Sequence, residues 1–111
     1  MGKDYQLHRV SVDMAKAYRE VHKADEAFNK DKVDSAIAHL QKAHDDFCSA
    51  LEHAANADAD VVKKAGHEID KGNAELQKSI ASASKGHDYR AEDHYINALN
   101  AYDKALHLIA D

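Results

Sequence analysis

The stretch that decides the fold is Asp31–Ala55, DKVDSAIAHLQKAHDDFCSALEHAA, which is echoed 55 residues later by Gly86–Ala110, GHDYRAEDHYINALNAYDKALHLIA. When the two stretches are aligned, six of the 25 positions are identical, and Phe47 falls opposite Tyr102. Four of the six identities are alanines, a residue that recurs easily in helical sequences. The repeat indicates two similar helices and favours a chain built from two duplicated hairpins.

Two further segments supply the partners of these helices. Before residue 30, apolar residues recur at alternating intervals of three and four residues. The positions 55 residues further along the chain continue this pattern. This spacing is typical of one face of a packed helix. We predict helices at about 4–29, 33–56, 59–84 and 88–110, joined by short polar turns. Because short connections make successive helices antiparallel neighbours, the prediction is all-α: one domain, 1–111, forming an up-down-up-down antiparallel four-helix bundle.

The predicted helices each have a row of residues that faces the core. In the second helix we assign to that row the larger side chains, with alanines along one flank: Val33, Ile37, Leu40, His44, Phe47, Leu51 and Ala54. We interpret Asp31 as the cap of this helix and Gly86 as the left-handed residue that ends the third one. Gly72 costs its helix about 1 kcal/mol relative to alanine, so we expect a close contact there.

The composition restricts partners and location. Acidic residues outnumber basic ones, 20 to 15, whereas binding a phosphate backbone needs a dense basic face. We therefore expect no nucleic-acid partner. Cys48 is the only cysteine, so there is no disulfide framework. The first ten residues lack the apolar core of a secretory signal, and no apolar run is long enough to span a bilayer, which predicts a cytoplasmic protein without a membrane partner.

Nine histidines are the unusual feature of the composition, because neutral imidazole binds Zn²⁺, Ni²⁺ and Cu²⁺. His39 and His94 occupy equivalent edge positions on the second and fourth predicted helices, and His44 lies in a core-facing row. These three are the candidate metal ligands. Surface chelates at helical i,i+4 spacing are a further possibility, namely Asp4/His8, His22/Glu26 and Asp103/His107. The alternative is a solvated face on which histidine recurs without binding metal.

His44 has two further interpretations. The favoured one is a core histidine that hydrogen-bonds a neighbouring group. In a tight hairpin it also lies less than one turn from Met14, as a His/Met axial pair for haem would.

Catalytic centres find little support in the sequence. A di-iron bundle needs inward glutamates and Glu-x-x-His pairs, but no acidic residue stands three positions before a histidine, and the rows assigned to the first three helices carry no carboxylate. Cys48 is interpreted as a buried, unreactive thiol. No serine lies in a Gly-x-Ser-x-Gly turn. We predict that the protein is not an enzyme and has no resident cofactor.

The segment His39-Leu40-Gln41-Lys42-Ala43 resembles the phosphoacceptor motif of histidine phosphotransfer domains, which are acidic four-helix bundles of similar length with a His-x-Leu-Lys-Gly pattern. The lysine at +3 and the small residue at +4 match, whereas glutamine at +2 replaces an apolar residue. The similarity covers five residues of 111. It implies a phosphoacceptor role for His39.

The favoured interpretation is a non-enzymatic bundle that acts through protein–protein contact, with a protein partner or as a homodimer. It rests on a predicted lack of inward polar groups and on apolar side chains predicted to lie outside the core: Val12, Tyr18, Ile96 and Leu108. The alternatives are histidine-mediated transition-metal or haem binding, and phosphotransfer through His39.

Overall fold

Four helices make up the described part of the chain. The computed structural model describes the backbone of residues 2–110 and the side chains of residues 5–110. Its helices are α1 (Gly2–Asn29), α2 (Val33–Ala55), α3 (Asp60–Ser84) and α4 (Asp88–Ala110). They agree with the predicted bounds to within one or two residues and confirm the all-α four-helix bundle. None of these helices is both long enough and apolar enough to cross a bilayer.

The helices run alternately up and down a body of 45 × 20 × 19 Å. α1 packs on α2 and α3 on α4 to form two hairpins, and α2 packs on α3 between them. α1 and α4 approach each other less closely. Two tyrosine hydroxyls span that gap, Tyr18 donating to Asp103 Oδ1 at 2.9 Å and Tyr95 donating to Asp25 Oδ1 at 2.7 Å. These two bonds also show that α1 and α4 are antiparallel.

The two hairpin turns repeat each other at the offset of 55. A left-handed residue ends the first helix of each hairpin, Asp31 with φ 59° and Gly86 with φ 77°. The next residue donates its N–H to the carbonyl five positions back, at 2.8 Å in the first turn and 2.9 Å in the second, as in a Schellman motif. The prediction for Gly86 is confirmed. The prediction that Asp31 caps α2 is wrong, because the N-cap is Lys32 and no side chain bonds there.

The core-facing row of α2 also differs from the prediction. Val33 is 39% exposed, and His44 is only half-buried. The buried residues are instead mostly alanines: Ala36, Leu40, Ala43, Phe47, Ala50 and Ala54. α4 follows the same rule, with Ala91, Ala98, Ala101, Tyr102 and Ala105. Small side chains let helices approach closely, and the larger residues other than Leu40, Phe47 and Tyr102 are only partly buried beside the contact. In α3 the residues that the spacing predicts to face the core are all buried: Val62, Ala65, Ile69, Gly72, Leu76, Ser79 and Ala83.

An aromatic pair fills the middle of the core. Phe47 and Tyr102, which are equivalent positions of the two hairpins, are both 0% exposed. Their rings stack with centroids 3.5 Å apart and planes 9° from parallel. A Cβ on Gly72 would lie 2.5 Å from the Tyr102 ring. Gly72 therefore marks a close contact, as predicted, and its partner is this ring.

Candidate functional sites

A buried carboxylate lies between α1 and α2. The Asp13 side chain is 5% exposed and accepts a hydrogen bond from Ser49 Oγ at 2.9 Å. Arg9 Nη2 and His53 Nε2 each lie 3.9 Å from its oxygens. His53 Nδ1 lies 2.9 Å from Gln6 Oε1. We refer to these five residues as the Asp13 cluster.

The Asp13 cluster corrects the expectation that α1 turns no carboxylate inward. Asp13 follows Val10 by three residues and precedes Ala17 by four, so it fits the core spacing as well as Met14 does. Carboxylates are rarely buried unless they are paired, and two of the partners of Asp13, Ser49 and His53, come from α2. The periodicity therefore contained the signal, but the residue type argued against it.

Among the described side chains, two further polar groups are buried, which corrects the predicted lack of inward polar groups. Asn73 is 6% exposed and Ser79 2%. The Tyr102 hydroxyl donates to Asn73 Oδ1 at 2.6 Å, and Ser79 Oγ donates to the Ala91 carbonyl at 2.7 Å. Because a paired polar group loses little on burial, these contacts are compatible with a stable core.

Serine, histidine and aspartate meet in the Asp13 cluster, but not in the order that activates a nucleophile. A nucleophilic serine donates to histidine, which takes its proton, whereas Ser49 donates to Asp13. The Gln6 oxygen can only accept, so His53 Nδ1 carries its proton and Nε2 faces the carboxylate. The arrangement joins α1 to α2 and does not prime Ser49 for attack.

Two histidine–glutamate contacts, which we name the His–Glu clasps, join the helices within each hairpin. His39 Nδ1 lies 2.8 Å from Glu20 Oε2, and His94 Nδ1 lies 2.6 Å from Glu75 Oε2. The two clasps occupy equivalent positions, because Glu75 and His94 each lie 55 residues after Glu20 and His39. An ionised carboxylate only accepts, so Nδ1 donates in both. The hydrogen bond from His39 is the main reason that the pKa of Glu20 lies below its ordinary value.

The clasps place two of the predicted metal ligands. His39 and His94 are each held by a glutamate of their own hairpin, and no contact brings the two histidines together within the described side chains. The clasp at His94 forms without the lysine that follows His39 at +3, so it is independent of the phosphotransfer-like motif. A phosphoacceptor role for His39 stays a prediction. The glutamates are not evident from the sequence, because each lies 19 residues from its partner.

His44, the third predicted ligand, lies beside Cys48 one turn along α2. Cys48 Sγ is 3.7 Å from Nδ1 and 3.8 Å from Nε2 of His44. Asn73 Nδ2 approaches the same sulfur at 3.8 Å. Burial raises the pKa of the Cys48 thiol, and the nearby carboxylates Asp45, Glu52 and Asp70 raise it further. Cys48 is half-buried and thus more accessible than predicted.

The remaining candidate chelates are pairs at most. His22 Nε2 lies 3.0 Å from Glu26 Oε1 on an exposed face, whereas His107 Nδ1 contacts the backbone carbonyl of Asp103. The side chain of Asp4 lies outside the described residues. Among residues 5–110, no three histidine, cysteine or carboxylate side chains gather as a metal site.

An open groove of about 830 Å³ lies at the end of the bundle where α1 and α3 begin and α4 ends. Apolar side chains from all three helices form most of its lining, and three titratable ones complete it: Leu7, Val61, Leu108 and Ile109, with Glu68, Lys104 and His107. We refer to it as the apolar groove. Val61 is 44% exposed.

The apolar residues predicted to lie outside the core are only partly exposed. Ile96 is 47% exposed, as expected. Val12, Tyr18 and Leu108 are half-buried, and the Tyr18 ring meets Phe47 edge-on with centroids 5.7 Å apart. Tyr89, at 88%, is the most exposed large apolar residue in the described part.

The chain matches no protein-family model, and neither curated proteins nor solved structures yield a significant match.

Proposed function

We propose that the protein is a non-enzymatic helical bundle that acts through protein–protein contact, with the apolar groove as the contact site. The observation that carries the proposal is this groove, in which apolar residues of three helices stay accessible beside exposed Val61. Concave apolar surface with a polar rim is typical of sites that bind another molecule.

The polar groups of the molecule also favour this proposal over catalysis. The Asp13 cluster satisfies its serine and histidine internally, and each His–Glu clasp occupies its histidine. The acidic charge of the chain, −5, favours a protein partner over nucleic acid. The proposal includes a cytoplasmic location, where a lone thiol such as Cys48 stays reduced.

The test compares one groove variant with one matched control. Val61→Asp places a charge in the lining of the groove, whereas Val33→Asp places the same charge at a similarly exposed position at the other end of the bundle. The wild-type protein and both variants are measured by sedimentation for self-association and by affinity capture from an extract of the source cells.

We expect wild-type protein and Val33→Asp to self-associate or to retain a partner, and Val61→Asp to do neither. The proposal is wrong if the wild-type chain binds neither itself nor an extract protein, or if Val61→Asp binds as well as Val33→Asp. Circular dichroism confirms that both variants are folded.

A second candidate function is transition-metal binding at His44 and Cys48. Zn–S and Zn–N bonds of about 2.3 and 2.0 Å that meet at the tetrahedral angle place sulfur and nitrogen about 3.5 Å apart. The observed separation of 3.7 Å is close to that value. The carboxylates that oppose ionisation of the thiol favour a divalent cation at the same place.

Cobalt(II) titration tests this candidate, because Co²⁺ bound by thiolate gives a charge-transfer absorption in the near ultraviolet. We expect that absorption with wild-type protein and with His39→Ala, and its loss in His44→Ala and Cys48→Ser. An unchanged spectrum in Cys48→Ser would rule out this site. If only His39→Ala lost the absorption, the metal would instead bind at His39, as predicted from the sequence.

A further inference from the structure

The outward side of α4 carries large apolar residues where a solvated helix would carry charge. Tyr89 is 88% exposed and Ile96 47%, and they lie seven residues apart, which is two helical turns. Steps of three and four residues continue the same exposed line along α4. We name it the outer stripe: Tyr89, Asp93, Ile96, Asn100, Lys104 and His107.

The other hairpin provides an internal comparison. The turns, the clasps and the buried alanines repeat at an offset of 55, so a stripe needed only for the fold should repeat in character too. The equivalent positions of α2 carry no large apolar residue and no basic one: Asp34, Ala38, Gln41, Asp45, Ser49 and Glu52. The composition of the outer stripe thus belongs to α4 and not to the shared fold.

The stripe is complementary to itself when it is reversed. Consider two α4 helices that pack antiparallel about a two-fold axis at the height of Ala98. A residue of one helix then lies at the same height as the residue of the other helix for which the two numbers sum to about 196. Asp93 then lies beside Lys104 of the second copy, and symmetry forms this pair twice. Asp93 and Lys104 are both exposed, and neither makes an ion pair with any described side chain of its own chain.

The same alignment places an aromatic ring at the apolar groove. Tyr89 lies level with His107 of the second copy, and His107, Lys104 and Leu108 line the groove. Tyr89 is the most exposed large apolar side chain described, and the groove offers accessible apolar side chains, Leu108 among them, at that height. Ile96 of each copy lies near the two-fold axis, beside Asn100 of the other.

We infer that the partner of the apolar groove is a second copy of this chain, bound through antiparallel α4 helices with Tyr89 in the groove and Asp93 paired with Lys104. The inference rests on the proposed function and names its partner. The stripe spans about 27 Å of helix at 1.5 Å per residue. Contacts of that extent are at the small end of specific interfaces, so the test covers protein concentrations up to millimolar.

Charge reversal provides the test. Asp93→Lys and Lys104→Asp each set like charges opposite one another across the axis, and the double variant restores both pairs in the reversed sense. Sedimentation equilibrium of the full chain from micromolar to millimolar concentration gives each dissociation constant. We expect each single variant to weaken the dimer at least about tenfold and the double variant to return close to wild type.

Two further variants complete the design. Tyr89→Ala removes the ring and should also weaken the dimer about tenfold or more. Lys42→Asp makes the same charge change as Lys104→Asp, but at an exposed position of α2. It should leave the dissociation constant of the dimer unchanged.

Three results would overturn the inference: a wild-type monomer at millimolar concentration, equal weakening by Lys42→Asp, or a double variant no stronger than the single ones. A monomeric chain that still captures an extract protein through Val61 would end this inference and leave the proposed function standing. The absence of both self-association and capture would end both.

Discussion

At the scale of single residues, Gly72 determines how the centre of the core is filled. A Cβ at this position would lie 2.5 Å from the Tyr102 ring. That ring is itself stacked on Phe47 in the core. The ring can neither shift towards Phe47 nor overlap a new methyl group. Glycine thus exchanges intrinsic helix stability for a complete aromatic pair.

Gly72→Ala should destabilise the protein. Forcing a methyl group into a packed site costs about 1–3 kcal/mol, against a gain of about 1 kcal/mol in helix propensity. The net loss of up to about 2 kcal/mol is measured as a fall in the free energy of unfolding in urea.

Gly66→Ala is the matched control, because its Cβ would lie 3.1 Å from the Ala54 methyl group and it gains the same propensity. The free energy of unfolding of this control should stay within about 1 kcal/mol of wild type. Equal losses in the two variants would show that the Tyr102 ring is not the obstacle.

The sequence located Gly72 but not the glutamates of the clasps or the burial of Asp13. A glycine inside a helical pattern is unusual by itself, so this one residue is enough to predict a close contact. Glu20 and Asp13 depend on partners that only the hairpin brings near. Similarly, periodicity alone could not show that the alanines of α2, and not His44, face the core, because both rows fit a helix.

At the scale of elements, the two turns solve one backbone problem with different residues. Asp31 adopts a left-handed conformation that Gly86 adopts in the second turn. This conformation costs a residue with a Cβ about 1–2 kcal/mol, and somewhat less for aspartate. The first hairpin therefore carries local strain that the second hairpin lacks.

Asp31→Gly should stabilise the chain by about 0.5–1 kcal/mol, and Gly86→Ala should destabilise it by about 1 kcal/mol. Thermal unfolding followed by circular dichroism measures both. No Cβ contact would obstruct alanine at position 86, so backbone strain alone produces the loss. Changes of the same sign in both variants would contradict equivalent turns.

The clasp of the first hairpin should make stability depend on acid. The pKa of Glu20 in the folded chain lies below its ordinary value of 4.5, mainly through the bond from His39. The unfolded chain therefore takes up a proton first as pH falls, and the contribution of Glu20 is present above pH 4.5 and is lost as pH drops through the folded pKa.

Glu20→Gln should accordingly lower stability at pH 7 by about 1 kcal/mol or less for a half-buried pair, with little difference from wild type in strong acid. Urea unfolding at several pH values measures the effect. Glu75→Gln provides the comparison in the other hairpin. A loss that is independent of pH would mean that Glu20 acts by packing and not through its charge.

At the scale of the whole molecule, the side between α1 and α4 is held differently from the others. The helices there are farther apart, and the Tyr18 and Tyr95 hydroxyls bridge them to Asp103 and Asp25. Burial and these hydrogen bonds raise the pKa of both phenols above the ordinary value of 10.0. Both therefore remain donors at neutral pH.

Alkaline pH should weaken this side. Above pH 10 the unfolded chain releases phenol protons that the folded chain keeps, so stability falls as pH rises. Tyr18→Phe with Tyr95→Phe removes both groups. The double variant should lose about 1–3 kcal/mol at pH 7 and show a shallower decline above pH 10. An unchanged alkaline slope would mean that other groups cause the decline.

Each hairpin contributes one ring to the Phe47–Tyr102 stack at the centre of the molecule. Each ring packs against the ring of the other half, so we expect the chain to unfold cooperatively, without a stage in which one hairpin survives. The two halves are in effect complementary fragments joined by a tether. Peptides 1–58 and 59–111, each largely unfolded alone, should regain helix when they are mixed.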